Sequence, residues 1–289
     1  MELQQLRYFL SVAQTGSFTA AAKACHVAQP SLSSQIKKLE EDLGGALLQR
    51  SRQGSRLTQT GEIFKSRAAE ALRQLESGRF EVGQLQGLAC GSVTLGCMPT
   101  TGAFVLPPLL KAFGKAHPEI HVNLREESSP QLAKLVRESE VDLAILDEAG
   151  LGPGIQTESL FTEPLLIALP PRHKLSKRKR LHLKVLAGEP LILMKSGYGF
   201  RKIVTDALAR AGVEPHVVYE SGEIETVQAL VGSGLGLSLV PRMVCRKGAA
   251  YAEILPPTPS RTVFIGWREG SALSPAASAL KSAASQVLR

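Results

Sequence analysis

The sequence predicts an α/β protein with a helical N-terminal region. Three observations carry that expectation. Residues 17–43 read as two helices joined by a tight turn, and residues 61–88 carry one long seam of apolar and small residues at helical spacing. From residue 91 onward, short apolar strands alternate with helical stretches, which implies mostly parallel sheets.

The elements follow in order. Leu3, Leu6, Phe9, Leu10 and Ala13 give a first helix over 3–14 one apolar face. Thr15-Gly16 ends it, and Ser17 is placed to cap the next helix. That helix is built on Ala20, Ala21, Ala22 and Ala24, small side chains over which another helix can cross closely. After the turn His26-Val27-Ala28, Pro30 sits near the start of a further helix, where its missing N–H costs nothing. Leu32, Ile36, Leu39 and Leu43 form the back of that helix. Ser31, Ser34, Gln35 and Lys38 face the other way, flanked by Ser33 and Lys37. Such a face suits a DNA major groove, and equally an ordinary solvated hairpin, so the neighbouring stretches decide.

Residues 49–61, QRSRQGSRLTQTG, read as a β-hairpin edged by Arg50, Arg52 and Arg56. A wing of this kind beside a helix pair can hold phosphates or put an arginine into the minor groove, which favours the DNA reading. Phe64, Ala68, Ala71, Leu75, Gly78, Val82 and Leu85 then repeat at spacings of four and three. A single helix over 61–88 has no core of its own, so the seam predicts a dimerisation linker.

Beyond Cys90-Gly91, strands are expected at 93–97, 120–125 and 141–146, with helices at 103–116 and from Ser128 or Ser129 to about Ser139. A second set has strands at 164–169, 191–194, 217–220, 237–239 and 262–267. Its helices open near Arg201, at Glu223 and at Pro275. The glycines of VGSGLGLSLV follow a helix and precede a strand, the wrong order for a dinucleotide fingerprint. PRHKLSKRKR, residues 171–180, holds six Lys/Arg and reads as a solvated loop leading into a short helix.

Bulk properties narrow the function. A chain of 289 residues holds two or three domains. No apolar run is long enough for a membrane span, and MELQQLRYFLSVAQ is not a secretory signal, so a cytoplasmic protein is expected. The formal net charge of +8 is compatible with a nucleic-acid partner. Cys25, Cys90, Cys97 and Cys245 match no zinc or CxxC spacing, and the six histidines make no metal-ligand spacing. No cofactor or metal is expected. Nor is there a Ser-His-Asp set, HExxH or P-loop to support catalysis, so an enzyme is not expected.

Taken together, these residues resemble the LysR-type transcriptional regulators. The resemblance is most specific in LQQLRYFLSVAQTGSFTAAAKACHVAQPSLSSQIKKLEEDLGGALLQR and LTQTG. It continues through PTTGAFVLPPLL, ESEVDLAI and ETVQALVGSGLGLSLVP. It implies a winged helix-turn-helix over 1–60, a linker helix over 61–88 and an effector domain over 89–289 like periplasmic solute-binding proteins. In that domain, lobe I would take about 89–162 and 268–289 and lobe II about 163–267, with crossover strands near 161–165 and 262–267. The resemblance also implies double-stranded DNA with an imperfect palindrome as a partner, a homodimer through the linker and a homotetramer beyond it.

Carried over by position, Gln29 and Pro30 open the recognition helix, and Ser31, Ser33, Ser34, Gln35, Lys37 and Lys38 lie along it. Arg50, Arg52 and Arg56 edge the wing. Two departures stand out. Many members have arginine where this chain has Ser34, which removes a guanine fork worth about 1–3 kcal/mol of discrimination. The wing arginine usually precedes the glycine matching Gly54 directly, whereas here Gln53 does and Arg52 is one position earlier. Water-mediated and phosphate contacts are therefore expected to outnumber guanine forks.

Effector contacts are expected in the loops after parallel strands: at Thr100 and Thr101, at Ser128 and Ser129, and at Ser196, Tyr198, Phe200 and Arg201. There hydroxyls, backbone N–H groups and Arg201 would hold a small carboxylate or similar anion. Helix capping would explain the same serines and threonines. The second half also resembles the peroxide-sensing branch of the family, which has a reactive cysteine in the loop matching 196–201. Here that position is Gly199, and neither Cys97 nor Cys245 replaces it. The expectation is an effector-responsive regulator. A non-regulatory solute-binding or enzymatic α/β protein with a helical assembly module is the alternative.

Overall fold

The structure is a computed structural model that describes residues 1–51, 54–85 and 91–288. Its contacts divide it into two units: Met1–Gly91 with Glu138–Glu140, and Ser92–Arg137 with Val141–Arg289.

The first unit opens with α1 (Leu3–Thr15), α2 (Phe18–Ala24) and α3 (Gln29–Leu43). Gly16, at φ 65°, ends α1, and Ser17 Oγ then accepts from Ala20 N–H (3.3 Å) to cap α2. His26 takes the left-handed conformation (φ 54°) in the turn before α3. Leu32, Ile36 and Leu39 are fully buried with Phe9, Val12 and Ala21. Each such aliphatic side chain contributes roughly 1.5–3 kcal/mol, which fixes the rotation of α3 and hence its outer face. The wing follows as β1 (Leu48–Ser51) and β2 (Gly54–Leu57), paired antiparallel from Leu48↔Leu57 to Ser51↔Gly54.

The long helix α4 runs Gln59–Leu85. The described part of its seam divides in two, the side chains of Val82 and Leu85 lying outside the described residues. Phe64 stacks on Phe9 with ring centroids 5.5 Å apart, and Ala68 is buried in the same core, so these positions pack within the chain. Farther on, Ala71 is exposed and Leu75 is 47% exposed.

The second unit is a two-lobed α/β structure. In lobe I, β3 (Gly91–Cys97), α5 (Pro99–Ala116), β4 (Ile120–Glu126), α6 (Ser129–Arg137) and β5 (Leu143–Leu146) precede β6 (Ile155–Leu169), which crosses into lobe II. There β7 (Arg180–Leu181), β8 (Pro190–Met194), α7 (Gly199–Arg210), β9 (His216–Ser221), α8 (Ile224–Gly232), β10 (Ser238–Pro241) and β11 (Ala250–Ile254) follow. Then β12 (Ser260–Arg268) returns, and α9 (Pro275–Val287) closes the chain. The strand order is β4-β3-β5-β12-β6-β11-β7, with β10 also on β6 and β8 paired to β9.

The expectation of mostly parallel sheets needs correction. Within the lobes β3–β5, β8–β9 and β7–β11 are parallel, but the crossover strands β6 and β12 run antiparallel to each other. β5 on β12, and β10 and β11 on β6, are antiparallel as well. The sheets are mixed because each lobe accepts a strand that has arrived from the other, whose direction the local strand–helix alternation does not set. Residues 155–160 and β11, read as no strand from the sequence, belong to this crossover system.

Candidate nucleic-acid interface and inter-lobe cleft

Most of the predicted groove-reading residues of α3 lie on one side of the helix. Pro30, Ser31, Ser34, Lys37 and Lys38 are exposed, while Gln29, Ser33 and Gln35 are half-buried. Lys37 reaches Glu41 at 3.6 Å on the solvent side, a weak pair that leaves its ammonium available to a phosphate. Gln35 departs from expectation. Its Oε1 accepts from Nε2 of the buried Gln5 (3.2 Å), so it ties α3 to α1 instead of pointing freely outward.

The wing is held by backbone groups. Ser55 N–H donates to Gly16 O (2.8 Å), seating β2 on the turn between α1 and α2. Glu40 Oε1, near the end of α3, accepts from Leu47 N–H (2.8 Å) and Leu48 N–H (3.0 Å), which fixes where β1 begins. Arg56 is exposed on β2. Arg52 and the side chain of Arg50 lie outside the described residues.

The effector cleft is expected where loops leave the carboxyl ends of parallel strands. Thr100 and Thr101 were expected in a turn. They are instead in the first turn of α5 and are 2% and 0% exposed, because helix formation starts at Pro99 and carries them inward. Thr101 Oγ1 is buried without a hydrogen-bond partner among the described residues. Ser129, also buried, is the first residue of α6; its Oγ accepts from Asp147 N–H (3.0 Å), while Ser128 is half-buried. Phe200 is buried in α7, Tyr198 is half-buried and Ser196 lies exposed in the loop before them. Arg201 is already engaged: Nη1 donates to Met194 O (2.7 Å) and to Glu220 Oε1 (2.6 Å). It stabilises its own loop, and Glu220 already offsets its charge.

The buried cation between the lobes' crossover strands is one that sequence reading did not single out. Arg261, on β12, is 0% exposed and pairs in register with Glu163 on β6. Its Nε and Nη2 reach Glu163 Oε1 at 2.8 Å, Nη1 donates to Thr100 Oγ1 (3.0 Å) and Nη2 to Thr100 O (3.3 Å). The guanidinium lies 5.6 Å from the Phe200 ring centre. Glu163 Oε2 accepts in turn from Met243 N–H (2.7 Å). One ion pair thus joins both crossover strands to α5 and α7. Its sequence signal, an isolated Glu and Arg 98 residues apart, has no periodicity to reveal it.

A second buried carboxyl faces α7. Asp147 is 1% exposed, and burial pushes its carboxyl above the ordinary range, against hydrogen bonds from Ser129 and Ala149. A side chain at Gly199 would place Cβ 2.5 Å from Asp147 Oδ1 and 2.5 Å from Ala149 Cβ. The loop's missing cysteine therefore has a steric counterpart: Asp147 and Ala149 fill its space. The thiols of Cys97 and Cys245 are poor nucleophiles. Burial raises Cys97 strongly, and burial together with nearby Glu163 raises Cys245 to about 11.

Beside the cleft, a groove of about 540 Å³ runs between α5 and α8. Leu106 and Leu124 line it together with Glu126, Glu223 and Glu225, and among the described residues no Lys or Arg does. Among the described residues, no group of three or more potential ligands is placed to hold a metal, and no helix is long and apolar enough to cross a membrane.

Comparison with known proteins agrees with this architecture. Residues 3–62 match the bacterial regulatory helix-turn-helix family of LysR type, and residues 86–289 match the LysR substrate binding domain. The chain is 32% identical over 286 residues to the uncharacterized HTH-type transcriptional regulator YybE of Bacillus subtilis, covering 97% of each. A full-length, singly substituted OxyR from Pseudomonas aeruginosa superposes with a TM-score of 0.78 at 29% identity, over 99% of this chain and 94% of that one. Full-length CbnR complexed with its target DNA superposes with a TM-score of 0.68 at 25% identity, over 99% and 100%.

Proposed function

The chain belongs to the LysR family of DNA-binding transcriptional regulators, and from that premise we propose how its own residues divide the work. The observation that carries the reading is the outer face of α3. Three buried aliphatic residues hold its back, and Glu40 holds the wing at its side. Pro30, Ser31, Ser34, Lys37 and Lys38, with Gln29 and Ser33 at the edge, enter the major groove. Gln35 orients the helix, and the arginines of the wing take phosphates or the minor groove. Lacking an arginine at Ser34, this surface reads an imperfect palindrome largely through hydroxyl, amide and water-mediated contacts. We place the protein in the cytoplasm with that DNA, as a dimer through α4 and a tetramer beyond it.

The effector sits between the lobes. Thr100, Thr101, Ser128 and Ser129 from lobe I and Tyr198 and Phe200 from lobe II surround it. Its class is a small carboxylate or similar anion, because the N-terminal turn of α5, with Thr100 and Thr101, lies there. The Glu-lined groove limits the charge to one compact anionic head. The lobes must bind that molecule better in one arrangement than in another for it to regulate. Thiol oxidation is not the trigger, since Gly199 replaces the cysteine of the peroxide-sensing branch.

The test is duplex binding across a salt series. Specific binding should weaken steeply with salt. Gln29→Ala with Ser33→Ala should reduce the preference for the operator over a scrambled duplex by about tenfold or more while leaving scrambled binding nearly unchanged. No binding at low salt, or equal loss on both duplexes, would overturn the assignment.

A further inference from the structure

Lobe II contains a second cavity away from the cleft residues. It encloses about 330 Å³, within the range of small-molecule sites. Its apolar wall includes Leu183, Ala207 and Leu255, and its polar rim is His182, Lys184 and Arg210. Among the described residues no carboxylate lines it, and the three rim side chains form no ion pair.

That charge pattern sets this cavity apart from its neighbours. The groove beside α5 is lined by three glutamates. An adjoining cavity of about 340 Å³ includes Arg180 and Arg242, but Glu253 bonds both, at 3.1 and 3.3 Å, and offsets part of their charge. Only at Lys184 and Arg210, with His182 beside them, do cations line apolar walls without a counter-charge among these three.

The walls are also built to keep their shape. Pro256, Pro257 and Pro259 form one side, with fixed φ angles. Leu255 N–H donates to Leu181 O (2.9 Å), and Thr258 Oγ1 donates to Ile254 O (2.8 Å). Pro259 O accepts from Leu165 N–H on β6 (2.9 Å). The opposite side is the end of α7, where Ala207 is buried and helix geometry holds Arg210 at the rim.

We propose that this cavity is a second small-molecule site, selective for a compact organic anion with an apolar body, such as an aromatic carboxylate, sulfonate or phosphate ester. The apolar body fills the Leu183–Leu255 wall, and the anionic head meets Lys184, Arg210 and His182. The site is separate from the effector cleft proposed above and does not depend on that assignment.

Methyl-labelled alanine NMR of the full chain tests it, with benzoate, benzenesulfonate and phenyl phosphate as probes and benzyl alcohol and benzylamine as controls. Ala207 and Ala211 line this cavity, whereas Ala103 lines the groove beside the cleft. At least one anion should shift Ala207 and Ala211 in a saturable titration, at least tenfold more tightly than either control. Lys184→Ala with Arg210→Ala, both at exposed positions, should weaken that binding at least tenfold. Three outcomes overturn the site: no anion shifts Ala207 or Ala211, the controls bind as tightly, or the double variant binds unchanged. Shifts confined to Ala103 would also overturn it, while leaving the cleft assignment standing.

Discussion

Arg261 and Glu163 show how a single contact can organise a hinge. A charge as buried as this guanidinium is tolerated only where every donor finds a partner, and here Glu163, Thr100 and Met243 supply them. Arg261→Met should destabilise the domain by about 3–5 kcal/mol in urea unfolding, because it strands Glu163 in the interior. Arg261→Met with Glu163→Met should recover much of that loss, and a double variant worse than the sum of the singles would contradict the pairing. Asp147 makes a pH prediction of opposite character to a salt-bridged carboxylate. Its folded-state pKa lies above the ordinary value of 3.8, so the folded chain holds the proton more tightly than the unfolded one. Its contribution to stability is complete below the ordinary value and is lost as pH rises through the raised one. Asp147→Asn should flatten that decline. Urea titrations from pH 4 to 7 that run parallel for both proteins would rule out the burial argument.

At the scale of elements, the start of the wing is fixed by one side chain of the preceding helix. Glu40 satisfies two backbone N–H groups at Leu47 and Leu48, both of which are buried residues. Glu40→Ala leaves those donors without an acceptor and should cost about 1–3 kcal/mol. It should also weaken duplex binding although Glu40 belongs to no predicted DNA contact, whereas Glu40→Gln keeps an acceptor and most of the affinity. Thermal melts and anisotropy titrations on the same samples separate the two effects. The helix α5 carries a different lesson. Proline at its first residue moved the helix start ahead of the two threonines, which turned expected loop ligands into buried first-turn residues.

Across the whole molecule, α4 divides its seam between the chain's own core and an open stretch. Phe64 and Ala68 pack against α1, while Ala71 and Leu75 face solvent. Leu75→Glu should therefore shift the protein toward smaller species in sedimentation velocity without lowering the melting temperature of the N-terminal core, since Leu75 is 47% exposed in the single chain. An unchanged sedimentation profile would mean that the dimer forms elsewhere.

The family resemblance implied the two-lobed plan; the sequence alone determined the helix-turn-helix face, the hairpin, the long helix and the two successive strand–helix sets. Each of these is written as a local period or a local stop: four-three spacing in α3 and α4, Gly16 and Gly44 at helix ends, strand–helix alternation beyond residue 91. Of the candidate site, the loops at 100, 128 and 196 were legible because strand ends point there in any such sheet. Only the tertiary structure decided which side chains do what within them. It gave the buried cation to Arg261 and not Arg201, put Asp147 in the space beside Gly199, joined Gln35 to Gln5 and made the sheets mixed. These are contacts between residues far apart in the chain, set by register and burial, and no local period encodes them.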